Sequence, residues 1–175
     1  MRFSVKANTY IYLTILLFLI PLRWVVSWLV AVAFHEFCHW LAVKLCRGNV
    51  YQLEIGLGGA NMQCDNMTDG CRLFSILCGP FGGLLLVGIG QWFPRVALCS
   101  FFLSLYNLLP LLPLDGGWAL CILLRANKSF FVFQKAFFAV LLAIAIICTF
   151  YLKLGLLPMA AAAILYLRSR KIPCK

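Results

Sequence analysis

The sequence predicts an all-α polytopic membrane protein, with about six transmembrane helices and a short β-hairpin in the loop at 46–72. Three observations carry this. The 175 residues are 64% hydrophobic and only 11% charged, with a mean hydropathy of +0.98; soluble domains carry about 25% charged residues. Apolar runs recur along the whole chain, several near the ~20 residues that cross a bilayer. The basic residues punctuate those runs instead of clustering.

The segments follow in order, at roughly 7–21, 24–45, 73–91, 95–110, 130–151 and 154–168. The first follows Met1-Arg2-Phe3-Ser4-Val5-Lys6, like a signal peptide. No small-residue cleavage site comes after it, so it reads as a retained span. Pro21-Leu22-Arg23 makes a turn or kink before the second. The first, fourth and sixth are short for a core of about 30 Å and call for local thinning or packing inside a bundle. Between the second and third lies the longest polar stretch. Its Val50–Leu57 alternates, with Tyr51, Leu53, Ile55 and Leu57 on one face, and Gly58-Gly59 follows. That pattern is a hairpin. It either rests on headgroups or offers an edge strand to an extended peptide.

The formal charge is +10. No dense basic patch with interleaved aromatics exists, so nucleic acid is excluded as a partner. Six spans put both termini on one side, with Arg2, Lys6, Lys44, Arg47, Arg72, Arg125, Lys128, Lys135, Arg168, Arg170, Lys171 and Lys175. Only Arg23, Arg95 and Lys153 fall opposite. The positive-inside rule then places both termini in the cytosol. The nine cysteines form no C-x-x-C pair, which argues against a disulfide framework or a cysteine metal cluster.

The only histidines, His35 and His39, sit four apart inside the second apolar segment, with Glu36 beside the first. On a helix they share one face, about 6 Å apart along the axis. Two imidazoles so placed bind one zinc through single nitrogens, and Glu36 is placed as general base towards a water. Ionisable groups at membrane depth are expensive, which makes the functional reading the default. His35 lies about 17 Å beyond Trp24, in the cytosolic half of the layer.

A catalytic zinc keeps three protein ligands and an open position. The chain has five acids: Glu36 in the motif, Glu54, Asp65 and Asp69 in the polar loop, and Asp115. Asp115 follows two prolines in Asn107-Leu-Leu-Pro110-Leu-Leu-Pro113-Leu114-Asp115-Gly116-Gly117. Irregular backbone at membrane depth is tolerated where it lines a cavity. Asp115 is either the N-cap of a following helix or the third ligand, and different oxygens can serve both roles.

H-E-x-x-H on one span and N-x-x-P-x-x-P-L-D-G-G on a later one resemble the site-2 protease family of intramembrane metalloproteases, in particular the branch of stage IV sporulation protein FB. Ile76-Leu-Cys-Gly79-Pro80 is similar to the Gly-Pro motif of that family's middle core helix. The resemblance spans most of the chain. It implies a three-helix catalytic core, one Zn²⁺ per chain held by His35, His39 and Asp115, Glu36 as base, and Asn107 as substrate or oxyanion donor. Asn107 can equally bond backbone freed by the prolines. The substrate it implies is a membrane-associated protein cleaved near the cytosolic face, such as a pro-factor in sporulation or signalling, with a regulatory membrane partner. Residues 1–175 are expected to be one membrane-embedded domain, without a PDZ-like or nucleotide-sensing domain.

Two other functions use the same residues. A metal transporter would use His35, His39 and Asp115 as a transport site, but it gives Glu36 no task and the chain has no further histidine for a path. An inactive scaffold would keep zinc for structure alone.

Overall fold

The computed structural model describes residues 2–5, 14, 20–56, 59–65, 67–125, 127–150 and 157–169. The chain packs as two compact units, Met1–Asn107 and Leu108–Lys175.

In the first unit, α1 spans Leu22–Leu45. Its 24 residues are long and apolar enough to cross a membrane. Pro21 occupies the N-cap, ahead of the helical hydrogen bonds its missing N–H would break. At the other end Arg47 turns left-handed (φ 57°), and the Gly48 N–H donates to the Val43 carbonyl at 2.9 Å, closing the helix.

Three strands follow from the polar segments. β1 is Arg2–Val5, β2 is Asn49–Gly56 and β3 is Gly59–Asp65. They form one sheet in the order β1-β2-β3, with β1 parallel to β2 and β3 antiparallel to it. The predicted hairpin is therefore present, closing with Gly56 opposite Gly59. Of the two readings open for 50–57, the exposed edge is corrected: Arg2 to Val5 pair with Gln52 to Ile55, so β2 is the middle strand. The reason is that the N-terminal residues, read as the polar flank of a first span, supply a third strand. The face also changes. Between Val50 and Gln52 the register shifts by one, leaving Tyr51 as the extra residue of a bulge. Leu57 lies outside the described residues.

α2 is Asp69–Leu85, continued by a 3₁₀ turn over Leu86–Ile89. The Thr68 hydroxyl caps it by accepting the Cys71 N–H at 3.3 Å. α3 is Pro94–Asn107. α1, α2 and α3 pack on one another. Small residues make this close approach possible. A side chain at Gly79 would overlap the His39 imidazole, and one at Gly83 would overlap the Ser104 hydroxyl on α3. Ser100 and Ser104 are fully buried in that seam.

In the second unit the chain runs irregularly to Leu114. α4 (Asp115–Leu123), α5 (Lys128–Phe150) and α6 (Leu157–Ser169) follow. Its core has two clusters. Leu111, Leu114 and Leu165 gather with Phe137, Phe138 and Leu141; Leu112, Cys121 and Phe130 gather with Trp118 and Leu120.

Among the described residues, three helical segments reach membrane-spanning length: Leu22–Leu45, Asp69–Ile89 and Lys128–Phe150. The predicted fourth span is a helix of 14 residues, about 20 Å long at 1.5 Å per residue and short of a hydrocarbon core of about 30 Å. Of the predicted sixth, residues 157–168 are described and helical. Apart from Thr14, Ile20 and Pro21, the predicted first span lies outside the described residues. Large apolar side chains such as Phe102, Val132, Ile147 and Phe150 are exposed along these helices. Surface of that kind suits lipid and not water. Among the described cysteines Cys121 is disulfide-bonded, which the sequence did not lead one to expect, and the other seven form no disulfide. At the end of α1, a hydrogen bond with Cys71 pushes the Cys46 thiol up.

Candidate metal centre

The histidine pair is built by one helix. His35 and His39 are separated by one turn of α1, and their rings meet edge to face with centroids 4.7 Å apart. Their Nε2 atoms lie 3.1 Å apart. Two nitrogens bound to one tetrahedral zinc at about 2.0–2.1 Å would lie about 3.3 Å apart. The pair therefore fits a single ion without rearrangement. His35 is 3% exposed and His39 half-buried, so water competes weakly for the site.

The tautomer of His39 follows from its neighbour. Nδ1 lies 2.7 Å from the Ser75 carbonyl on α2. A carbonyl only accepts, so Nδ1 carries the proton and Nε2 keeps its lone pair. Ser75 is buried, and its hydroxyl donates to the Arg72 carbonyl at 2.9 Å. Gly79, one turn further along α2, leaves the space that the imidazole fills. Sequence alone flagged Gly79 through its neighbour Pro80; nothing in it pointed to the Ser75 carbonyl, because any residue supplies one.

Glu36 follows His35 on α1 and is half-buried. Asn107 is the last residue of α3, beside the break that Pro110 imposes. The sheet carries Tyr51, Leu53 and Ile55 on β2, with Tyr51 exposed.

In the second unit, Asp115 is the first residue of α4. The N-cap position is held by Leu114, which has no capping side chain, and Asp115 stands in the first helical turn. The preceding loop is tightly determined. The Leu111 N–H donates to the Leu109 carbonyl at 2.7 Å and the Leu114 N–H to the Leu111 carbonyl at 2.8 Å. Gly116 lies against the Leu108 carbonyl and Gly117 against the Leu111 backbone, where a Cβ would collide.

Gln134 on α5 was missed by the sequence analysis. Its Nε2 donates to the Pro110 carbonyl at 2.8 Å, and its Oε1 accepts the Leu112 N–H at 3.3 Å. It is the only amide side chain in Lys128–Phe150. An uncharged amide inside an apolar span was the signal that could have found it.

No family profile and no curated protein matches the sequence. Among solved structures, the site-2 protease from Methanocaldococcus jannaschii superposes with a TM-score of 0.69, over 98% of this chain and 91% of that one, at 17% identity. At that identity the likeness speaks for the fold, and the chain has the fold of a site-2 protease.

Proposed function

We propose that the protein is an intramembrane zinc endopeptidase of the site-2 protease type, cutting membrane-associated proteins near the cytosolic face. The observation that carries this is the His35–His39 pair, with Nε2 atoms 3.1 Å apart on a membrane-spanning helix and Glu36 between them in sequence. His35 and His39 would hold zinc through these nitrogens. Asp115 would complete the set with a carboxylate oxygen; it is the only acid in Leu108–Lys175. When bound, zinc supplies Lewis-acid polarisation and acidifies water.

The chain's own groups do the rest. Glu36 takes the proton of the attacking water, then returns it to the amine that leaves. That shuttle typically contributes about 10²–10⁴-fold in rate. The Asn107 amide donates to the oxyanion as the carbonyl becomes tetrahedral. The apolar flanks exclude bulk water, which strengthens both interactions.

A helical substrate hides its carbonyls, so it must unwind before cleavage. The sheet is the natural receiver of the unwound strand. With β2 in the middle, the strand would add along β3, beside Leu53 and Ile55 of β2 and Tyr51 at its bulge. A membrane-tethered pro-factor in sporulation or signalling is the substrate class we favour. Six spans, cytosolic termini and a regulatory membrane partner belong to the same reading, supported by the distribution of basic residues.

The test is co-expression with candidate membrane-tethered substrates, comparing the natural protein with Glu36→Gln. Cleavage by the natural protein alone supports the reading. Equal cleavage by the variant, with zinc content unchanged, would remove Glu36 as the base.

A further inference from the structure

Between Asn107 and Asp115 the chain has neither helix nor strand, and Pro110 and Pro113 offer no N–H. Leu111, Leu112 and Leu114 are buried. Backbone polar groups in such a segment have no water to turn to and need partners from the protein. The Leu111 and Leu114 N–H groups find them within the loop. The Pro110 carbonyl and the Leu112 N–H find theirs on Gln134, from α5.

A primary amide is suited to this task, because it carries an acceptor and a donor side by side and no charge. It pairs with one C=O and one N–H much as a neighbouring strand would. Gln134 is 7% exposed, and Phe130, one turn before it, is fully buried against Leu112. The clamp therefore reaches the loop from a helix that is itself packed against it. Three residues beyond Leu112 comes Asp115.

We infer that Gln134 is a positioning residue: its amide fixes the backbone of Pro110 and Leu112 so that Asp115 is presented in one orientation as a metal ligand. This rests on the proposed ligand role of Asp115. Gln134 touches neither metal nor substrate. Its effect passes through the loop, as outer partners of metal ligands commonly act, where their loss weakens binding about 10–100-fold.

The experiment is a double-mutant cycle on the full-length purified protein, reading zinc affinity by chelator competition. Gln134→Met keeps the bulk and removes both hydrogen bonds. It should weaken zinc binding about tenfold or more, at unchanged helical content. In an Asp115→Ala background, where only the histidines hold zinc, Gln134→Met should produce no further loss. Unchanged affinity in the single variant overturns the inference, and so does an equal loss in both backgrounds, the mark of a general structural role. If Asp115→Ala alone binds zinc like the natural protein, the ligand reading fails instead, and the two failures are distinguishable. If Gln134→Met does not accumulate, Gln134→Asn takes its place. Its amide, one methylene short, cannot reach both groups, and should weaken zinc binding in the natural background only; full affinity there overturns the inference.

Discussion

The His39 Nδ1 atom donates to the Ser75 carbonyl across the α1–α2 seam at 2.7 Å. That bond turns the other ring nitrogen towards His35, and it exists because Gly79 leaves room for the ring. A metal ligand on one helix is thus oriented by the backbone of another, and the packing of α1 on α2 becomes part of the proposed site.

Gly79→Ala should therefore weaken zinc binding about tenfold or more, the usual cost of disturbing a ligand's outer partner. The added Cβ meets the imidazole itself, which can escape only by rotating away from Ser75. Chelator competition measures this, and the cobalt-substituted protein should show an altered visible spectrum. Gly70→Ala, where a Cβ meets nothing within 4 Å, is the control and should bind as the natural protein does. Equal affinity in both variants would dismiss the role given to Gly79.

Loss of the two Gln134 hydrogen bonds should also register as stability. Each buried backbone group left unpaired costs about 1–3 kcal/mol. Gln134→Met should be destabilised by roughly that amount or twice it, read as a lower thermal midpoint in detergent. A midpoint equal to that of the natural protein would mean that the loop finds other partners.

Proline at Met62 or Gln63 should reduce cleavage. These neighbours lie on β3, and alternation points the N–H of one of them away from β2. Proline there removes a donor from the free edge. Substrate crosslinks to β3 should fall in parallel at one of the two positions, with zinc content retained. If both variants cleave normally, the sheet is structural only.

Cysteine labelling tests orientation. Cys46, Cys64 and Cys71 form no disulfide and are partly exposed. An impermeant maleimide should label them in inverted vesicles and not in intact cells. The reverse pattern would invert the topology.

Much of this was legible in the residues. The ligand pair needed only a four-residue spacing on an apolar helix, a local property that sequence displays directly. The hairpin needed only alternation and Gly58-Gly59. What escaped was non-local. Nothing in Arg2–Val5 announces a parallel partner for β2, because parallel pairing links segments that are far apart in the chain. The reading of the middle strand as an edge, one of two left open, accordingly failed. The apolar runs at 24–45, 73–91 and 130–151 were, by contrast, as direct as the histidine spacing, and each falls on a helix of membrane-spanning length. The Gln134 clamp depended on which carbonyl and N–H a loop leaves unpaired, which is decided by the fold.

Zinc X-ray absorption on the purified protein tests the central claim most directly. The account predicts about one zinc per chain, with only nitrogen and oxygen neighbours near 2.0–2.1 Å and a signature of two imidazoles that vanishes in His35→Ala/His39→Ala. Absence of bound zinc after metal loading, or sulfur neighbours near 2.3 Å from any of the nine cysteines, would contradict it.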